Sequence, residues 1–106
     1  MSLDVHLDEA TSEVYCANIT HNLNGMAKEA GIYQCLWHPG DVGITKAGQL
    51  IEPLQSGLEL MKSDPERFKA FNAPNGWGRY DQFVPWIERY LAACINNPDA
   101  DVSTSV

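Results

Sequence analysis

Ser2-Leu3-Asp4-Val5-His6-Leu7 is the stretch whose alternation decides the fold. Leu3, Val5 and Leu7 fall on one side of an extended chain, Asp4 and His6 on the other. A period of two with one apolar side marks a half-buried strand. Asp8 to Ser12 is polar and turn-like, and Glu13 to Cys16 returns as a second strand with Val14 and Cys16 inward. Together the two runs predict an N-terminal β-hairpin.

Beyond the hairpin the period changes. Leu23, Met26, Ala27 and Ala30 recur at helical spacing and predict a helix from about Ile19 to Ala30. Asn18 or Thr20 caps its start and Gly31 closes its end. Ile32 to Trp37 reads as a second short helical turn, broken by His38-Pro39-Gly40-Asp41. Thr45 reads as the N-cap of a longer helix through about Lys62, on the stripe Ala47, Leu50, Ile51, Leu54, Leu58 and Met61. Pro53 is expected to kink or split it. Pro65 starts a short helix carrying Phe68 and Phe71. Residues 72–79 form a loop, and Asp81 caps a last helix to about Asn96 with Phe83, Ile87, Tyr90, Leu91 and Cys94 inward. Ala100 to Val106 either adds a third strand beside the hairpin or frays. The expected architecture is α+β: one domain over residues 1–106, with a small antiparallel sheet and three to four helices on one face.

Composition narrows the function classes. A chain of 106 residues suits one domain and buries somewhat over ~60% of its unfolded surface. Its net charge of −7 disfavours nucleic acid and anionic membranes as partners, since both need basic surface. The acids gather at the ends: Asp4, Asp8, Glu9 and Glu13 near the start, Asp99 and Asp101 near the finish. If the ends meet, one side of the molecule is strongly acidic, serving either solvation or a basic partner. Cys16, Cys35 and Cys94 are odd in number without CxxC spacing, so free buried thiols in a reducing cytosol are expected. No charged-then-apolar leader and no long apolar run are visible, so neither a signal peptide nor a membrane span is expected.

Two segments hold most of the unusual chemistry. In Ala17-Asn18-Ile19-Thr20-His21-Asn22-Leu23, helical phase turns His21 away from the buried stripe, onto a face shared with Gly25 and Lys28. Gly25 weakens a helix unless its bare backbone admits a ligand or another chain. Asn18, Thr20 and Asn22 flank this face, where N–H groups at a helix start favour an anion. In Asn75-Gly76-Trp77-Gly78-Arg79-Tyr80, Gly76 makes a turn nearly obligatory and presents Trp77 between two glycines. Trp77 either projects to stack on a ring, with Arg79 and Tyr80 adding a cation and a second ring, or folds back as a lid on the core. Trp37, followed by His38-Pro39, is a third candidate wall. Phosphate-cradling glycine loops, nucleophile elbows and HExxH are lacking, and the three histidines form no tight ligand motif, so neither cofactor nor metal is expected.

These residues resemble a family of small proteins encoded by phages, prophages and bacteria. The likeness runs through Ala17 to Leu23, Met26-Ala27, Ala30-Gly31-Ile32-Tyr33 and Leu36-Trp37. It continues through Gly43-Ile44-Thr45-Lys46-Ala47, Asn75-Gly76-Trp77-Gly78 with Tyr80, Tyr90-Leu91 and Pro98-Asp99-Ala100, covering most of the chain. His38-Pro39-Gly40 departs from the pattern, standing where a basic residue, a proline and an acid are expected. The resemblance implies a bacterial cytoplasm as the setting and, by analogy, an anti-defence protein that acts by binding.

The leading expectation is a non-enzymatic protein, possible as a homo-oligomer, that binds a nucleotide-like anion and sequesters a host immune signal. Trp77 or Tyr80 would stack on the base, His21 and Arg79 would take the phosphate, and Asn75 or Asn22 would read a polar edge. The alternatives are an acidic inhibitor of a basic host protein and a small hydrolase using His21 or His38.

Overall fold

The alternation of the first strand is realised without exception: Leu3, Val5 and Leu7 have no exposed surface. In the computed structural model, which describes residues 2–10 and 12–106, strand β1 spans Ser2–Glu9 and β2 spans Ser12–Thr20. Met1, and Thr11 within the expected turn, lie outside the described residues. The chain ends in β3, Asp101–Ser105. The sheet order is β2-β1-β3 and both pairings are antiparallel. The expected α+β architecture is present, with the last segment a strand rather than a frayed tail.

β2 is longer and differently phased than the sequence reading placed it. Leu3 pairs with Ile19, Val5 with Ala17 and Leu7 with Tyr15. Cross-strand partners share a face, so Tyr15, Ala17 and Ile19 turn inward. Val14 and Cys16 are exposed instead, which corrects their expected burial. The register shifts between Leu7 and Asp8, where Val14 becomes the extra residue of a bulge. Tyr15 stacks on Tyr90 at 5.9 Å, so the inward phase is held by a ring pair.

Among the described residues, five α-helices form the layer on the face carrying Leu3, Val5 and Leu7. They are α1 (Asn24–Glu29), α2 (Tyr33–Trp37), α3 (Gly48–Ser63), α4 (Pro65–Lys69) and α5 (Tyr80–Asn96). The helix expected from Ile19 is shorter, because β2 runs on through Thr20 and a 3-10 turn, His21–Leu23, follows. Thr20 does cap that turn, its Oγ1 accepting from the Asn22 N–H at 3.3 Å. Gly31 follows α1 at φ +77°, the left-handed conformation that suits glycine at a helix end.

α3 continues through Pro53 without division. Its start is capped by Gln49 and not by Thr45: Gln49 Oε1 accepts the N–H groups of Thr45 and Lys46 at 2.8 and 2.9 Å. Likewise α5 begins before Asp81, with Gln82 Oε1 accepting the Arg79 N–H. The predicted inward residues of α5 are all buried, joined by Trp86. Phe68 is buried and Phe71 is not. Among the described residues, no helix is long and apolar enough to cross a membrane.

One close approach locks the helical layer. A Cβ at Gly57 would stand 2.4 Å from Ile32 Cγ2, so α3 meets the chain before α2 only through bare backbone. Overpacking of this kind costs about 1–3 kcal/mol. Gly57→Ala should therefore lower the urea midpoint by that equivalent at unchanged slope. A midpoint equal to wild type would show that the contact relaxes freely.

Candidate functional site

The loop between α4 and α5 is held from both sides. Ala73 N–H donates to Gly78 O at 3.0 Å, and Tyr80 N–H donates to Asn72 Oδ1 at 2.7 Å. Within the loop, Asn75 Oδ1 accepts the Trp77 N–H at 3.0 Å, and Gly76 takes φ +78°. Gly78, at φ +113°, is buried, and a Cβ there would lie 3.0 Å from Asn22 Cβ and 3.2 Å from Thr20 Cγ2. Only glycine permits this seat, so the loop docks directly on the strand end and the turn after it. Asn22 completes the join, its Nδ2 donating to Trp77 O at 2.8 Å.

The two segments therefore meet, and an open groove of about 1140 Å³ lies where they do. Asn18, Thr20, His21 and Asn22 supply one wall, Asn75, Gly76, Trp77 and Gly78 another. Gln82, Trp86 and Arg89 line it from α5, and Ser2 from β1. Trp77 projects, 71% exposed, so of its two expected roles the lid on the core is overturned. Trp86 is buried and fixes α5 to β2, its Nε1–H donating to Asn18 O at 2.9 Å.

Several expected site residues are placed elsewhere. Arg79 lies outside the groove and pairs with Asp81 at 3.3 Å. Tyr80 is half-buried outside it, its hydroxyl donating to Met61 O at 2.9 Å. Trp37 is a core residue, 2% exposed and stacked on Tyr33 at 5.3 Å. Gly25 lies beside the Phe71 ring of the same chain, where a Cβ would meet the ring at 3.4 Å, an ordinary contact, so no close approach requires the glycine. Lys28 sits 4.7 Å over the Tyr33 ring. His21 is not turned to solvent: its ring meets the edge of Trp37 at 6.3 Å, because the helical phase that pointed it outward does not reach back into the 3-10 turn. His21 Nε2 and Trp37 Nε1 are both buried without a hydrogen-bond partner among the described residues. An unpaired buried polar atom costs about 1–3 kcal/mol, which a polar group entering beside His21 would relieve. The expected anion seat at a helix start is not formed, since α1 has only 6 residues and follows the 3-10 turn.

Arg89 was not among the expected residues, although its spacing was readable. Gln82, Trp86 and Arg89 recur at i, i+4 and i+7, one face of α5. The chain has 7 cations. Lys46, Lys62, Arg67, Lys69 and Arg79 each sit within 4 Å of a carboxylate, and Lys28 lies over a ring. Among the described residues only Arg89 has neither partner, and it lines the groove. Burial pushes the neighbouring Tyr15 phenol up, and the Arg89 guanidinium offsets part of that rise.

The thiols do not serve this site. Burial pushes Cys35 from 9.0 to about 11 and Cys94 to about 12, so both are protonated near neutrality. Cys16 lies on the outer sheet face, across from His6. His38 Nε2 shares a hydrogen bond with the Tyr33 hydroxyl at 3.3 Å.

Comparison of the chain with family models, curated proteins and solved structures finds no match.

Removing the tether in Asn22→Ala should speed amide exchange at Gly76 and Trp77, while global stability falls by no more than about 1.5 kcal/mol. Unchanged exchange would mean that the loop holds itself. Iodoacetamide at pH 8 should modify Cys16 alone in the native protein, counted by intact mass. The buried thiols hold their protons more tightly folded than unfolded. Their contribution to stability is thus complete below pH 9.0 and lost as pH rises through about 11 and about 12.

Proposed function

We propose that this protein binds, without turnover, a small anionic ligand carrying a flat ring, of nucleotide type, in the groove between residues 18–23 and 75–78. The observation that carries the reading is the pairing of an exposed Trp77 with Arg89, which among the described residues has no carboxylate within 4 Å, along one groove. Stacking on an aromatic ring is worth about 1–3 kcal/mol per base and needs an open ring face, which Trp77 offers. A guanidinium takes a phosphate bidentately, and Arg89 is not already spent on a carboxylate. The phosphate role expected of Arg79 passes to Arg89. His21 and the amides of Asn18, Asn22, Asn75 and Gln82 supply the polar remainder. The resemblance to phage-encoded proteins supports sequestration of a host nucleotide signal as the purpose.

A second reading, an acidic surface for a basic host protein, is supported by the meeting of the chain ends. Asp101, Asp8 and Glu13 lie in one row across the uncovered sheet face. Lys46 pairs with Asp101 and His6 with Glu13, which tempers the row without neutralising it. Capture of a basic host protein that weakens steeply with salt and survives His21→Ala and Trp77→Ala would favour this reading.

Calorimetry or native mass spectrometry against linear and cyclic nucleotides tests the first. Trp77→Ala and Arg89→Ala are each expected to weaken binding by about tenfold or more, while Arg79→Ala stays within about twofold. Failure of every adenine, guanine, uracil and cyclic nucleotide to bind would sink it.

A further inference from the structure

The groove has a length as well as a lining, and the two elements beside it measure that length separately. At one end Trp77 is fixed beside the turn after β2: Asn22 Nδ2 donates to Trp77 O at 2.8 Å, and Gly78 seats against Thr20. At the other end the Arg89 guanidinium lies beside the Tyr15 phenol, offsetting part of the rise that burial gives it. Tyr15 and Thr20 are about 17 Å apart along β2, at ~3.3 Å per residue. Arg79 and Arg89 are about 15 Å apart along the axis of α5, at ~1.5 Å per residue. Trp86 Nε1–H donates to Asn18 O at 2.9 Å midway, so the two lengths lie side by side. Side chains of a strand stand across it, and Tyr15 therefore keeps the guanidinium near its own level. Even with the Trp77 ring leaning inward, ring and cation stay about 10 Å apart or more. Among the described residues Arg89 is the one Lys or Arg that lines the groove.

We propose that the groove takes a dinucleotide, with one ring stacked on Trp77 and the terminal phosphate of the next nucleotide on Arg89. This rests on the nucleotide reading above and adds to it the length of the ligand. In a mononucleotide a single ribose separates ring and phosphate, well short of the span. Such a ligand reaches Trp77 or Arg89 and never both. A second nucleotide supplies the missing length. A nucleoside triphosphate is also long, but it crowds its charges against one guanidinium in a chain of net charge −7. A dinucleotide spaces its charges along an open groove, where water and salt screen them. The groove's volume of about 1140 Å³ exceeds the ~300–1,000 Å³ of ordinary small-molecule pockets, in keeping with a ligand of this size.

Calorimetry on the full chain at one salt concentration is the test, with pApA, pGpG and pUpU against the matching monophosphates and triphosphates. For the base that binds best, the dinucleotide should bind at least about tenfold tighter than its monophosphate or its triphosphate. Trp77→Ala and Arg89→Ala should each weaken the dinucleotide by about tenfold at an unchanged melting temperature, whereas at most one of them weakens the monophosphate. A monophosphate that binds as tightly as the dinucleotide, or that loses affinity in both variants, would overturn the span while nucleotide binding stands. A triphosphate that binds as tightly would overturn the dinucleotide in favour of a polyphosphate. No binding by any of the nucleotides would overturn both this inference and the reading it rests on.

Discussion

The central strand is the constraint on which the rest depends. β1 pairs on both sides, and its three inward side chains are completely covered by the helical layer. Because side chains alternate with a strict period of two, a slip of one residue would put Leu3, Val5 and Leu7 in water and Asp4 and His6 in the core. That penalty fixes the phase of β2 as well. It sends Tyr15 onto Tyr90 and leaves the carbonyl of Asn18 facing Trp86. The far end of β2 then delivers Thr20, His21 and Asn22 to one spot. The groove is thus an extension of the sheet's register.

What turns that spot into a cleft is a backbone contact. Gly78 lies against Thr20, Asn22 and Leu23 with no room for a methyl group. The loop gives up a side chain there and gains a rigid perch for the next one back. Its glycines confer reach and not looseness, since Asn22, Asn72 and Asn75 bond the loop's backbone. The asparagines that look like ligand readers in the sequence, Asn22 and Asn75, are half committed to architecture.

Much of this was legible in the residues, and the failures share one cause. The alternation of β1, the stripes of α3 and α5 and the turn at Asn75-Gly76 declare themselves locally. The helix placed from Ile19 failed because Asn18-Ile19-Thr20 fits either period, and the pairing with Leu3 and Ser2 settled it. Val14 and Cys16 are more apolar than their neighbours, but cross-strand partners and a bulge decided which side they face. Arg79 stood in the motif and was drawn off by Asp81, while Arg89 stood ten residues away and arrived by helical geometry. The site's membership depends on contacts between distant segments, such as Asn22 with Trp77, that no local pattern encodes.

The three tryptophans are sorted by environment in a way that has an optical consequence. Trp37 and Trp86 are 2% and 4% exposed, whereas Trp77 stands in water at the mouth of the groove. Their indole emission must split accordingly, into a blue component from the interior and a red one from the loop. A dissolved quencher reaches the red component first, and a ring stacked on Trp77 would shield it. The native protein thus carries an unlabelled reporter of its own groove, with the buried pair as internal reference.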